Sequence, residues 1–505
     1  MELHTTESSR CFEDYLKQAG WGLAYKFLIG VSCIAHFIRG VSFVAIAFAI
    51  ALSSCNPVYY MGKINATRMF IAYFVGCGFG GLAGNSLGDR HGRKDYLIYS
   101  YLCIFASAFA AAFAFNVNVV IVAVMCLGAG LEVNATQTRL LVIEILTKEK
   151  RGFWIAFCEL FWSLGYLLTA FSLIFFRTST FLNFGSPTQP PPFWRVMFAI
   201  SGGISLTMAC VLNVVEESPR YWISAERSFV AYLILKKSYA VNMSKFENDF
   251  KTKEDDIKFL ISPYGLYYRE PEHISDRIKR FFWRLWKSIR IMFSKHFCWL
   301  TWGLMLIKMP IIVLGPHQLN VALGKYLIFD IDHKYDGLDF VYPIADHTND
   351  TSFCNINEQN VLFNKYFLIL GVATLPGQIC CILMIDRLGR KIILVTSLLL
   401  AGWSFLTLPF SLNRIFKIVL TCLITASISV VILVVTLMNL ELYPTALRGS
   451  SNSVTSIPSY IFAAFFLGFI LMELKFFAIF TGILYCCLSS LACFLPELRG
   501  KPMIE

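Results

Sequence analysis

Leu87-Gly88-Asp89-Arg90-His91-Gly92-Arg93-Lys94 (LGDRHGRK) and Ile385-Asp386-Arg387-Leu388-Gly389-Arg390-Lys391 (IDRLGRK) are one short phrase written in both halves of the chain. Each copy ends an apolar run, 69–87 and 366–385. Such runs recur at bilayer length, because about 20 apolar residues span a hydrocarbon core of about 30 Å as a helix. About twelve are present, near 27–53, 69–87, 96–115, 119–145, 153–176, 196–215, 298–323, 366–385, 392–411, 417–440, 454–472 and 474–495. In lipid, every backbone polar group must be satisfied within the segment or a closed barrel. Run length and the lack of period-two alternation select helices. The composition agrees: 56% apolar, 15% charged and 46 Phe, with a mean hydropathy of +0.60. The fold class expected is an all-α polytopic membrane protein of twelve spans in two six-helix repeats.

Basic residues near span ends prefer the cytoplasmic side. A cytoplasmic N-terminus puts Arg90, Arg93 and Lys94, Lys148, Lys150 and Arg151, the segment 216–297, Arg387, Arg390 and Lys391, Arg448, and Arg499 with Lys501 inside. The net charge of +11 is then a topology signal and not a nucleic-acid footprint. The expected organisation is a cytoplasmic segment (1–26), a six-helix bundle (27–215), a cytoplasmic loop with amphipathic helices (216–297), a second bundle (298–495) carrying an outer loop (325–364), and a cytoplasmic tail (496–505). No cleavable signal peptide is read, since the first run is too long for an h-region. Asp276–Lys295 interleaves basic and aromatic residues as an amphipathic helix suited to an anionic inner leaflet. A Gly allows the tight turn of the repeated phrase, and its Asp can accept from helix N-terminal N–H groups or from Arg.

The sixteen Cys lie mostly inside spans, where Cys acts as a small hydrophobe. Cys55 and Cys354 fall in outer loops, so a bridge between them is expected in an oxidising compartment. Sequons at Asn65 and Asn349 fall on the same side, Asn349 being farther from the membrane. No metal and no cofactor are expected, because no nucleotide loop, H-E-x-x-H or ligand cluster occurs. Gly84-Asn85-Ser86-Leu87-Gly88 matches G-x-S-x-G but ends a membrane helix, without the strand-to-helix context of a nucleophile elbow. No enzyme is read from these residues.

The repeated phrase resembles the signature loop of the major facilitator superfamily. Other stretches are similar to its branch of organic-ion transporters and synaptic vesicle glycoprotein two-like proteins. They are Glu144 with Glu149-Lys150-Arg151-Gly152, Glu217-Ser218-Pro219-Arg220, Glu441-Leu442-Tyr443-Pro444 with Arg448, and Pro496-Glu497-Leu498-Arg499-Gly500. Phe12-Glu13-Asp14-Tyr15-Leu16, Gly20-Trp21-Gly22 and Phe161-Trp162 look like the vesicle-glycoprotein side. The resemblance covers nearly the whole chain and implies a divergent member. It also implies that spans one, four, seven and ten line a central cavity, and that the inner loops act in switching between states. Asn85 replaces the superfamily's usual Gly, the branch's first-span acids are unmatched, and Val124 stands near its fourth-span Arg. These departures count against the family's usual proton coupling and against cation transport by its usual acids.

A charge at mid-bilayer costs about 2.5–3.5 kcal/mol on insertion scales and marks a functional candidate. His36 and Arg39 lie in the first span, Glu132 in the fourth and Lys308 in the seventh, while the tenth offers Thr436 and Asn439. Structural pairs, Arg39 with Glu132 and Arg139 with Glu159, are one reading. The other leaves Arg39 and Lys308 in excess over Glu132, favouring an anionic or zwitterionic organic solute. The function expected is a monomeric secondary transporter in a plasma or vesicle membrane. The alternative is a transporter-fold protein that no longer transports and serves trafficking or reception.

Overall fold

The computed structural model describes residues 12–53, 63–178, 193–250, 274–313, 356–411, 413–466, 474–501 and 503. Cys55, Cys354, Asn349 and most of 325–364 lie outside them; Asn65 sits in the first turn of its helix, partly buried.

A short helix, α1 (12–19), precedes the spans. The first six spans are α2 (Leu23–Ser53), α3 (Lys63–His91), α4 (Arg93–Ala112), α5 (Val117–Ile145), α6 (Arg151–Thr178) and α7 (Phe193–Val211). Three helices follow in the connecting segment, α8 (Pro219–Ser224), α9 (Ser228–Met243) and α10 (Ile274–Met292). The last six are α11 (Cys298–Val313), α12 (Ile356–Leu388), α13 (Arg390–Thr407), α14 (Arg414–Leu442), α15 (Arg448–Phe466) and α16 (Leu474–Ala492). A helix thus covers the described part of each apolar run. Among the described residues nine helices are long and apolar enough to cross a membrane, and Cys298–Ile311 and Ala478–Ala492 are shorter apolar helices. α15 is not apolar along its length; it begins Arg448-Gly449-Ser450-Ser451-Asn452-Ser453.

Lipid provides no hydrophobic drive between helices, so close backbone approach must replace it. On α3, Gly76, Gly80, Gly84 and Gly88 recur every four residues and form one stripe. They lie against Met125, Ala129, Val133 and Gln137 of α5, also spaced by four, and a Cβ at any of them would collide there. Gly40 of α2 and Gly165 of α6 bring those two backbones together in the same way. Contacts between the halves run along two seams: α6 packs on α12, and α3 packs on α15. The two repeated loops lie at one end of these seams, called the inner end below.

Candidate functional site

Between the halves lies a cavity of about 110 Å³. Its charged lining is Arg39, Glu132, Arg139, Glu159 and Lys308; Tyr73, Phe74, Trp162 and Tyr460 supply aromatic walls. Arg39, Glu132, Lys308 and Thr436 therefore stand where their spans point them. His36 and Asn439 do not line it. Both are buried one layer behind, with Asn439 Nδ2 donating to Asn452 Oδ1 at 3.1 Å.

Glu159 is the hub of the cationic side. Arg139 Nη2 donates to its Oε2 at 2.7 Å, and His36 Nε2 lies 3.1 Å from the same oxygen. His36 Nδ1 is 2.8 Å from the Ser32 carbonyl, one turn back. Arg39 reaches Glu159 Oε1 only at 3.7 Å, too long for a hydrogen bond. The expected Arg39–Glu132 pair is thus replaced, because Arg39 turns toward α6 while Glu132 packs on Gly81 of α3 and receives Tyr460. Among the described residues Arg39 has no hydrogen bond, and its side chain is 22% exposed, toward the cavity.

Lys308 is held differently. Nζ donates to Asn452 Oδ1 at 2.9 Å, Thr455 Oγ1 at 2.8 Å and Ser456 Oγ at 3.2 Å, all neutral oxygens of α15. This explains the polarity of α15. The run Ser451–Ser456 is the sequence signal for a lysine cradle, and only the spatial pairing with Lys308 turns it into one. Asn85 joins the same layer, donating to Ser453 Oγ at 2.8 Å and accepting from Gln137 Nε2 at 3.1 Å.

At the inner end the two halves are locked by pseudo-symmetric contacts. Asp89 accepts from Gly449 N–H (3.0 Å), Ser450 N–H (2.7 Å) and Ser450 Oγ (2.8 Å), so it caps the N-terminus of α15. Asp386 accepts from Phe153 N–H at 2.8 Å and caps α6. Each Asp thus holds the fifth helix of the opposite half. The helix dipole favours a carboxylate there. The Arg that opens each capped helix meets a carboxylate of the other half: Arg448 Nη1 with Glu144 Oε1 at 3.4 Å, and Arg151 Nη1 with Glu441 Oε1 at 3.6 Å. Arg93 and Arg390, which the sequence places among the basic residues of the cytoplasmic span ends, are wholly buried in this lock. Arg93 Nη2 donates to the Thr445 carbonyl at 2.6 Å and to Glu144 Oε1 at 3.3 Å; Arg390 donates twice to Glu441, at 3.2 and 3.3 Å.

Gly92 and Gly389 turn the chain at φ +122° and +99°. A side chain there would strain the backbone and strike Glu217 or Glu497. Those two acids are equivalent: Glu217 Oε2 accepts from Lys94 N–H at 2.9 Å, and Glu497 accepts from Arg390 and Lys391 N–H, both at 3.0 Å. Burial pushes the Glu217 carboxyl up to about 7, against the pull of Ser218 N–H, Arg93 and Lys94 N–H. Burial also acts upward on Glu497, but four backbone donors outweigh it and hold that carboxyl below its ordinary value. Lys94 adds a bond to the Asn213 carbonyl at 3.1 Å. Arg90 and Arg387 stay nearer the surface.

Among the described residues one contact has no counterpart in the second half. Glu13 of α1 accepts from Arg151 (2.9 Å), Arg220 (3.2 Å) and Lys148 N–H (3.1 Å), while Phe12 lies 4.4 Å beneath the Arg220 guanidinium. Arg151 is therefore shared between its own half and the other.

The Major Facilitator Superfamily model matches residues 32–467. The chain belongs to that superfamily. It is a multi-pass integral membrane protein. Relatives include human synaptic vesicle glycoprotein 2B, 24% identical over 66% of this chain and 47% of that protein. The niacin transporter NiaP of Acinetobacter baylyi is 27% identical over 63% of this chain and 58% of its own. The chain spans about half the length of these two relatives. Among solved structures, the proton:xylose symporter XylE bound to 6-bromo-6-deoxy-D-glucose aligns over 95% of this chain and 98% of its own, with 18% identity and a TM-score of 0.61. The Escherichia coli fucose:proton symporter FucP aligns over 94% and 99%, with 14% identity and a TM-score of 0.58. These structures share the fold of this superfamily member.

Proposed function

We propose that this chain is a secondary transporter that carries a small organic anion or zwitterion by alternating access, acting as a monomer in a plasma or vesicle membrane. The observation that carries the reading is Arg39, a cavity guanidinium with no hydrogen bond among the described residues. Its planar donor fork matches a carboxylate. Arg39, Arg139 and Lys308 share the cavity lining with Glu132 and Glu159, leaving one cation in excess when all five are charged. The likeness to a niacin transporter supports a carboxylate-bearing solute. The inner lock, closed here, supports alternating access: the cavity opens inward only if the Asp89 and Asp386 contacts part.

The test is uptake by purified protein in liposomes, offered a panel of radiolabelled organic anions, zwitterions and cations. Saturable uptake of an anion or zwitterion is expected, with organic cations excluded. Uptake confined to cations would overturn the reading of Arg39. No uptake of any solute would favour the second reading, a transporter fold turned to vesicle trafficking or reception. That reading draws on the synaptic vesicle relative and the first span's want of acids.

A further inference from the structure

Helix α10 (Ile274–Met292) is the most amphipathic of the described helices, and the function above does not use it. Its inward face is anchored. Ser288 and Met292 are buried, Ile289 and Ile291 pack on the core, and Thr301 Oγ1 of α11 donates to the Met292 carbonyl at 2.8 Å. The helix is therefore a fixed part of the fold. Its outward face carries Lys279, Phe282, Trp283, Trp286, Lys287 and Arg290, all exposed. They fall at three- and four-residue spacing and form one stripe. Trp283 is 62% and Trp286 66% exposed, and Lys287 Nζ lies 5.6 Å from the Trp283 ring centre. No Asp or Glu occurs between Asp276 and Asp330.

We propose that this stripe binds anionic phospholipid headgroups of the leaflet at the inner end, with its tryptophans seated at the headgroup level. Charge complementarity selects the occupant: three cations stand among three large aromatics with no acid on the helix beyond Asp276. Water alone does not suit two exposed indoles side by side, whereas the membrane interface enriches Trp. Basic residues on such a helix add attraction to anionic lipid. The stripe is also continuous with the surface that meets lipid. Trp299, Trp302 and Leu306 are exposed along α11, at i, i+3 and i+7. The Phe293 ring, just past the end of α10, meets Trp302 edge-on at 5.5 Å. The amphipathic helix therefore joins the seventh span at that span's outward face.

Native mass spectrometry of the full chain, in detergent supplemented with phosphatidylserine or phosphatidylcholine, tests this. Wild type is expected to bind phosphatidylserine more tightly. The variant Lys279→Gln, Lys287→Gln, Arg290→Gln loses about fivefold per cation, or on the order of a hundredfold in all, while phosphatidylcholine binding stays put. The single change Lys287→Gln is expected to lose about fivefold, a readout that survives if the triple variant folds poorly. Lys236→Gln with Lys245→Gln, a half-buried and an exposed cation outside α10, is expected to change neither lipid. The proposal fails if the triple and single variants keep the wild-type preference, or if the Lys236/Lys245 control loses as much. It also fails if wild type shows no preference for phosphatidylserine, including the case where calcium-loaded calmodulin binds the stripe instead.

Discussion

Arg39 and Arg139 both face Glu159, but their geometry assigns them different work. Arg139 makes the short contact, 2.7 Å, between side chains 7% and 6% exposed. Removing one member of a buried pair costs about 3–5 kcal/mol. Arg39 stands off at 3.7 Å and opens to the cavity. Arg139→Gln is therefore expected to lower the melting temperature of the purified protein, whereas Arg39→Gln leaves it close to wild type. Uptake of the transported anion should show the reverse order of specificity. Arg39→Gln loses one charge-assisted contact, about 1.5–3 kcal/mol, or roughly 10- to 100-fold in kcat/KM. Equal losses of stability in the two variants would return Arg39 to a structural role. At this scale the sequence is legible in part. A charge within an apolar run stands out whatever its surroundings, which is how Arg39, Glu132 and Lys308 are found. Which charges touch depends on the rotation of each helix about its axis, and equal depth carries no such information. Hence Arg39 with Glu132 is the pair that depth suggests, and Arg39 beside Glu159 is the pair that forms. Tyr73, Tyr460 and Gln378, which line the cavity, give no signal among so many aromatics and polar residues in spans.

The element that follows each repeated loop starts with the same device and a different charge state. Glu217 and Glu497 both cap a helix behind a positive-φ glycine. Glu217 is raised from 4.5 to about 7 by burial, so the folded protein holds that proton more tightly than the unfolded chain does. Its contribution to stability is full below 4.5 and is lost as pH rises toward 7. Glu497, held below its ordinary value by backbone donors, contributes in the opposite sense: present above 4.5, lost in acid. Thermal melts should show Glu217→Gln gaining on wild type as pH rises from 4.5 toward 7, and Glu497→Gln recovering on wild type as pH falls below 4.5. Parallel curves for wild type and Glu217→Gln would mean the Glu217 carboxyl titrates as in water. The helices themselves are read from the run lengths, and the resemblance that names the loops from the repeated phrase itself. What the residue string does not disclose is that Arg93 and Arg390 turn inward. An arginine beside a span end reads as a headgroup anchor, and only the acids Glu144 and Glu441, fifty-one residues on in each half, reveal a buried partner. The symmetric spacing of those pairs was available in the sequence, but spacing alone does not place four chain ends at one point.

Across the whole molecule, the inner contacts tie the two halves together at one end of the cavity. The two aspartates occupy equivalent places, yet their contacts differ in strength. Asp89 is buried and accepts three hydrogen bonds from the first turn of α15. Asp386 is 22% exposed at its side chain and accepts one, from α6. All four bonds cross between halves, so they exist only while the inner end is shut. A conformational equilibrium responds to an interaction made in just one of its states. An Asn at either site replaces one acceptor oxygen with an N–H₂ facing other donors and removes the charge that the helix N-terminus favours. A charge-assisted bond is worth about 1.5–3 kcal/mol, enough to move a two-state ratio roughly tenfold or more. Asp89→Asn should therefore populate the inward-open state well above wild type, and Asp386→Asn should do so to a smaller extent. Folding and delivery to the membrane change less, because the ion pair each Asp makes within its own half is local, to the Arg four residues on: Arg93 at 3.6 Å and Arg390 at 3.1 Å. Spin labels on the inner ends of α3 and α15 report the separation directly by double electron–electron resonance. The expected result is a longer-distance population that grows in the order wild type, Asp386→Asn, Asp89→Asn. Identical distance distributions in wild type and Asp89→Asn would show that the inner contacts merely decorate a closed end. An equal response to the two substitutions would show that hydrogen-bond count and burial do not set the strength of the lock, leaving the charge at each helix N-terminus as its whole source.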